Sequence, residues 1–407
     1  MFKFKHSFFP LIALCTLLLA GCQSTGTPAP YRAGGETVSK TPQNISTPPS
    51  HQEVPTPNSP VNVALLLPLS GASQAVGQSL LDAATLAMFD TGGNAIKINP
   101  YDSSTTPTGA QNAFKQAVSE KNSVILGPLF GAQVRAIATD ARVANIPVVS
   151  FSNDDSVAGD GIYTLGLMPD DQVVRVIHYA QQQGIRAFGI LAPNTAYGKK
   201  AVEAAQSNSN AKIVAVEYYN ENFLTLEGAV QRLAIKAATT PLSAGSDAAG
   251  NTFQALLIPA GAESLQKIIP LLQKNTILPA NIRFLGTSLW QNATAIQNPF
   301  LMGSLIAAPS LKNKQAFEEK YLATFENKPL AVGSLAYDAT ALAALLARNG
   351  KITPETLSNP NGFAGVDGIF RFTPHGTAER GLAVFVLQSG QLVEVEGAPK
   401  SFSGLVN

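Results

Sequence analysis

Short apolar runs alternate with amphipathic stretches along most of the chain, and that alternation predicts its fold class. Residues 61–67 form a run rich in Val and Leu that stops at Pro68 and Gly71, the pattern of a strand buried on both faces. Over 77–90 the apolar residues Leu80, Leu81, Ala84, Leu86 and Ala87 recur at helical spacing, so a helix follows. The pair repeats as strand 96–101 with helix 109–120 and strand 124–126 with helix 132–144, and strand 147–151 follows. A second series then starts: helix 169–183, strand 187–191, helix 197–207, strand 213–218, helix 224–237, a Gly/Ser/Ala loop over 239–252, strand 255–258, helix 263–274 and strand 284–285. Such alternation implies parallel βαβ units with right-handed crossovers. Two sets of about four strands predict an α/β protein of two doubly wound parallel-sheet lobes.

Ligands of such lobes bind beyond the carboxyl ends of the strands. That rule makes Ser70, Gly71, Asp102, Ser103, Gly127, Leu129, Phe130, Ser150, Ser152, Asn153, Asn194, Tyr197, Gly261, Ser288 and Trp290 the candidate cleft residues. Most are small, hydroxyl-bearing or turn-forming, and their turns can offer backbone N–H groups at helix N-termini. Strand-to-helix turns have this composition with or without a ligand, so the pattern across seven turns weighs more than any one of them. Trp290, the single tryptophan, is either an exposed platform for a ligand or partner or a residue buried between helices.

The ends change the picture. Lys3 and Lys5 precede an apolar stretch over 8–19 that is shorter than the roughly 20 residues a membrane-spanning helix needs. Leu19-Ala-Gly-Cys22 follows directly and resembles the bacterial lipobox, so residues 1–21 read as a signal peptide and Cys22 as the lipidated N-terminus; the alternative is an ordinary secretory signal with an incidental cysteine. Cys15 leaves with the signal, so the mature chain has no disulfide available. From Gln23 to Pro60 the composition is Pro, Ser, Thr, Gln, Asn and Gly, too polar to offset ordering entropy, which predicts a disordered tether at 22–60. As a flexible coil its 38 residues span about 35 Å, and fully extended roughly 120 Å. Without Lys3 and Lys5 the chain holds 26 basic and 27 acidic residues, which argues against nucleic acid as a partner. Membrane contact is expected through the lipid anchor only.

Catalytic chemistry is sparse. The folded part carries two histidines, His178 and His375, and neither sits in an HExxH, GxSxG or GxGxxG motif. Asn194 to Lys200 ends in Tyr-Gly-Lys-Lys, but a phosphate loop would need a leading glycine and a Ser or Thr after the lysine. Asp102, Asp154 and Asp155 could face the cleft, and solvated turn carboxylates are the commoner reading than an acid/base pair. No enzyme, metal site or cofactor is expected.

Taken in order, Val63-Ala-Leu-Leu-Leu-Pro-Leu-Ser-Gly71, Tyr101-Asp-Ser-Ser104, Ile125-Leu-Gly-Pro-Leu129, Leu167-Met-Pro-Asp-Asp171, Gly365-Val-Asp-Gly-Ile369 and Gly390-Gln-Leu-Val-Glu394 resemble the type I periplasmic binding proteins, the group that includes branched-chain amino-acid receptors. Within that group the wording resembles the penicillin-binding protein activator lipoproteins. The resemblance covers about 63–395 and implies three hinge crossings, near 166–169, 305–309 and 372–382. Lobe 1 is then 61–168 with 305–372, including helices 314–325 and 334–348, and lobe 2 is 169–304 with 373–407. Receptors of this fold usually hold a ligand carboxylate with hydroxyl or small residues after the third strand, where this chain has Leu129 and Phe130, which offer no side-chain donor. Gln23 after the lipidated cysteine implies sorting to the outer membrane, facing the periplasm. The resemblance therefore implies a non-catalytic regulator of peptidoglycan synthesis whose partner is a peptidoglycan synthase. The alternative it leaves open is a solute-binding protein of an ABC transporter, with an amino acid or related small molecule between the lobes. Activators of enteric-type bacteria carry a further helical-repeat domain ahead of this module, where the present sequence offers the tether.

Overall fold

The computed structural model describes residues 59–402 apart from 209, 221–222 and 238–251. The signal peptide, Cys22, nearly all of the tether, nearly all of the 239–252 loop and residues 403–407 lie outside the described residues.

In the first lobe β1 (Val61–Leu67), β2 (Ile96–Asp102), β3 (Val124–Leu126), β4 (Val148–Ser150) and β5 (Ile162–Thr164) form a sheet of order β2-β1-β3-β4-β5, every neighbour parallel. The apolar run of β1 has a direct cause. Val63, Leu65 and Leu67 belong to one core and Ala64 and Leu66 to another on the opposite face, so no position is left for a polar residue. Helices α1 (Gln74–Asp90), α2 (Pro107–Ser119) and α3 (Gly131–Ala144) cover the sheet. Pro107 at the first helical position and the Thr106 side chain, which accepts from the Gly109 N–H at 3.1 Å, set the start of α2.

The second lobe contains α4 (Pro169–Gln182), β6 (Ala187–Pro193), α5 (Ala196–Ser207), β7 (Lys212–Tyr219), α6 (Phe223–Ala234), β8 (Ala255–Leu257), α7 (Ala262–Lys274), β9 (Arg283–Gly286), α8 (Ala293–Ile296) and β10 (Leu305–Ala308). The chain then returns to the first lobe as α9 (Leu311–Phe325) and α10 (Gly333–Arg348), which share the core of α1, followed by α11 (Pro354–Leu357). A small antiparallel sheet, β11 (Phe363–Gly365), β12 (Gly368–Phe372) and β13 (Ala378–Arg380), adds Phe363, Phe370, Phe372 and Ala378 to the same core. The hairpin β14 (Ala383–Gln388) and β15 (Gln391–Glu396) completes the second sheet, in the order β15-β14-β10-β9-β8-β6-β7. Ser389 and Gly390 form its two-residue turn with φ of 51° and 73°, the positive values such hairpins need.

Three features differ from the sequence expectation. Residues 305–308, expected to open the return to lobe 1, are a strand of the second sheet, hydrogen-bonded to β9 and β14, so the return begins after Ala308. Residues 373–380, assigned to lobe 2, stay with lobe 1 because β13 pairs with β12. The second sheet is mixed, its parallel strands extended by an antiparallel hairpin. Described backbone passes between the lobes at 165–168, 309–310 and 381–382.

Candidate functional site

Strand order locates the crevice. In β2-β1-β3-β4-β5 the winding reverses between β1 and β3, and in the second lobe the order β7-β6-β8-β9-β10 repeats it, reversing between β6 and β8. Such reversal points leave a gap at the carboxyl ends of the two central strands. In both lobes a glycine lets the following helix close on the strand end. A Cβ on Gly77 of α1 would lie 2.1 Å from the Pro68 carbonyl oxygen, and one on Gly198 of α5 would lie 2.0 Å from that of Pro193.

In the first lobe most predicted groups bind the protein itself. Asp102 is exposed, yet its Oδ1 accepts from the Leu69 N–H at 2.9 Å and the Ser104 N–H at 2.8 Å. Desolvation opposes ionisation of this carboxyl, but hydrogen bonds from the Ser70 hydroxyl and the backbone of Ser104, Leu69 and Ser70 prevail and hold it below its ordinary value. Ser103 is fully buried, and its carbonyl accepts from the Gln133 side chain at 2.9 Å, which ties the turn after β2 to α3. Ser150 is fully buried and donates to the Pro128 carbonyl at 3.0 Å, while its oxygen accepts the Ser152 N–H; the Ser152 hydroxyl in turn accepts the Asp154 N–H. Gly127 is needed for backbone approach, since a Cβ there would meet the Leu66 carbonyl at 2.3 Å and φ is +90°. Leu129 is half-buried and packs on the core, and half-buried Phe130 precedes α3 without capping it. Ser70, Gly71 and Asn153 are exposed.

The second lobe is similar. Tyr197 donates to the Thr287 hydroxyl at 3.1 Å, and burial pushes its phenol up to about 12. The Ser288 N–H donates to Gln172 Oε1 at 2.7 Å. Asn194 is exposed and bonds the Asn220 side chain at 3.1 Å. Gly261 precedes α7 with open space where a Cβ would stand. Trp290 presents no surface to a ligand: it is fully buried, donates from Nε1 to the Ala260 carbonyl at 3.0 Å, and packs its ring against Gly286.

The residue that joins the lobes at this level is Lys200 of α5, which the candidate set omitted. Its Nζ lies 2.7 Å from Asp155 Oδ2, in the connection between β4 and β5, and 3.4 Å from Asp170 Oδ2, in the first turn of α4. Glu203 completes the group at 3.5 Å. The hydrogen bond to Asp155 raises the Lys200 ammonium above its ordinary value, although desolvation opposes it. Burial raises the Asp170 carboxyl, against the pull of Lys200, and Asp170 Oδ1 is buried without a hydrogen-bond partner. The signals in the sequence were the Tyr-Gly-Lys-Lys stretch, which fails as a phosphate loop but supplies a cation, and the Asp154-Asp155 pair. Gln172 and Thr287 carried no local signal. Among the described residues no group of three or more His, Cys, Asp or Glu side chains could hold a metal ion, and no helix is long and apolar enough to cross a membrane.

Two facing lobes hinged by three crossings, with the gap at their strand ends, define the periplasmic binding proteins, and the pattern of that family matches residues 60–391. The chain belongs to the periplasmic binding protein family and has its type I fold. It is similar to penicillin-binding protein activator LpoA of Glaesserella parasuis, 25% identical over 40% of this chain and 28% of that protein, and to LpoA of Vibrio cholerae, 27% identical over 36% and 24%. It is also 24% identical to uncharacterized protein RP748 of Rickettsia prowazekii, over 58% of this chain and 59% of that one. These matches thus span between a quarter and three-fifths of the relatives' own length. Among solved structures, a putative branched-chain amino acid ABC transporter protein of Rhodospirillum rubrum superposes with a TM-score of 0.68 at 17% identity, covering 83% of this chain and all of that one. LivJ of Streptococcus pneumoniae, solved with isoleucine, gives 0.57 at 17% identity over 84% of this chain and all of that one. At such identities the likeness shows the fold alone. Apart from the uncharacterized Rickettsia protein, the named relatives and neighbours are penicillin-binding protein activators and ABC-transporter proteins.

Proposed function

We propose that the protein is a non-catalytic, periplasm-facing lipoprotein, anchored through Cys22 in the outer membrane, that regulates peptidoglycan synthesis by binding a penicillin-binding protein. The sequence similarity to several penicillin-binding protein activators carries this reading. The site chemistry supports it. The hydroxyls and carboxylates that could hold a small solute (Asp102, Ser150, Ser152, Tyr197) are already engaged by the protein's own groups, and Leu129 and Phe130 stand after the third strand. A group bonded inside its own turn gains little from exchanging that partner for a ligand. In a pull-down with solubilised envelope proteins the full-length chain is expected to retain a peptidoglycan synthase, and adding it to that synthase should change the rate of glycan polymerisation or cross-linking. Failure to retain a synthase, together with an unchanged rate, would sink the proposal.

Solute binding is the second reading, favoured by the neighbours solved with isoleucine and with 3,4-dihydroxybenzoic acid. A solute at 100 times its dissociation constant stabilises the native state by about 2.7 kcal/mol, so a thermal-shift panel of amino acids, aromatic acids and muropeptides separates the two readings.

A further inference from the structure

Lys200 stands where the two lobes meet beside the crossing at 165–168, with Asp170 at the start of α4 within 3.4 Å of its Nζ. It belongs to α5, which begins at the carboxyl end of β6, and Asp155 follows the carboxyl end of β4, so their 2.7 Å contact spans the gap between the lobes' strand ends. The surrounding charge is unbalanced: Asp155, Asp170 and Glu203 place three carboxylates on one ammonium. Two of them, Asp170 and Glu203, come from the same lobe as Lys200 and hold it whether the lobes are together or apart. Asp155 alone comes from the other lobe, so it alone makes the contact depend on closure. Without the ammonium, Asp155 and Asp170 would face each other as like charges across the gap.

We infer that the Lys200–Asp155 pair is a latch that holds the lobes closed in the absence of any occupant, and that a ligand or partner of the cleft acts on the protein by engaging or releasing it. The inference does not depend on which of the two functional readings holds, since either occupant would work through the same hinge. A partly exposed ion pair is a modest interaction, and the open-to-closed equilibrium of hinged lobes is poised finely enough for a modest interaction to matter.

Hydrogen–deuterium exchange of the full-length protein tests this. Lys200→Met should raise exchange threefold to fivefold at 153–158 and also at the cleft turns 127–131 and 287–290, which Lys200 does not touch; Asp155→Asn should raise it less, because it leaves no facing carboxylates; Lys200→Arg should restore the parent rates. In the parent protein 0.5 M salt should reproduce part of the increase, and it should add little in Lys200→Met. Thermal unfolding measured alongside separates loss of the latch from loss of the fold. Unchanged exchange at the cleft turns in both Lys200→Met and Asp155→Asn, or a rise confined to 153–158, would overturn the latch.

Discussion

At the scale of single residues, the site depends on how closely a helix can approach a strand end. Gly198 and Gly228 are both helical glycines, and alanine is intrinsically favoured over glycine inside a helix by about 1 kcal/mol. A Cβ at Gly228 would meet only the tip of the Arg232 side chain, at 3.3 Å, which can move aside. At Gly198 it would stand 2.0 Å from the Pro193 carbonyl oxygen, a backbone atom that cannot yield unless α5 shifts and takes Tyr197 and Lys200 with it. The two substitutions should therefore have opposite signs. Gly228→Ala is expected to raise the denaturant midpoint by the equivalent of about 0.5–1 kcal/mol, and Gly198→Ala to lower it by about 1–3 kcal/mol. Equal midpoints in the two variants would show that helix propensity, not the strand contact, sets the value at Gly198.

At the scale of elements, helix α10 reaches the first lobe from far along the chain and packs on α1 through small residues. Ala83 and Ala84 of α1 and Ala336, Ala339 and Ala347 of α10 are fully buried in one core, and Gly333 lies against Ser79 and Ala83. Enlarging this seam has no low-energy outlet, so Ala83→Leu should cost about 1–3 kcal/mol, read as a lower urea midpoint, and an unchanged midpoint would mean the seam is looser than its burial indicates. The parallel strands and their helices were legible because burial on two faces or one leaves a continuous or a 3.6-residue apolar pattern. What escaped has other causes. β5 is three residues long, β10 reads Leu-Ile-Ala-Ala directly before Pro309 and so resembled a crossing, and β12 buries only alternate residues in a segment too short for alternation to stand out. At the site, positions were legible from strand ends but partners were not. Nothing local distinguishes a serine that bonds its own turn, as Ser150 does, from one that awaits a ligand, and the Lys200–Asp155 contact joins residues on different lobes.

At the scale of the whole molecule, a buried charge cluster links two of the crossings. Arg380, just before the crossing at 381–382, donates from Nη2 to the Leu165 carbonyl at 2.8 Å, at the crossing 165–168, and its backbone N–H donates to Asp171 at 2.9 Å. Its guanidinium lies 3.8 Å from Asp338 of α10 and over the Phe370 ring. Asp367 stands close by, bonded to the Ser334 hydroxyl at 2.7 Å. Burial first, then the Asp367 carboxylate, pushes the Asp338 carboxyl up to about 7, against Arg380 and the Val366 and Asp367 N–H groups, which pull it down. An unfolded Asp titrates near 4, so between about pH 4 and pH 7 the folded protein holds a proton that the unfolded chain has released. Stability from this group is complete below the unfolded value and is lost as pH rises through the folded one, with a slope of up to about 1.4 kcal/mol per pH unit. Asp170 and Asp171, also raised by burial, act with the same sign, so the contribution of Asp338 must be isolated by difference. Asparagine keeps the acceptor for the Val366 N–H and removes the titration. Urea unfolding of the parent protein should weaken from pH 5 to pH 7.5, and Asp338→Asn should lose stability less steeply over the same interval. Parallel pH profiles for the two proteins would mean that Asp338 keeps its charge throughout, and that Arg380 binds the hinge as half of a permanent ion pair rather than through a carboxyl that takes up a proton near neutrality.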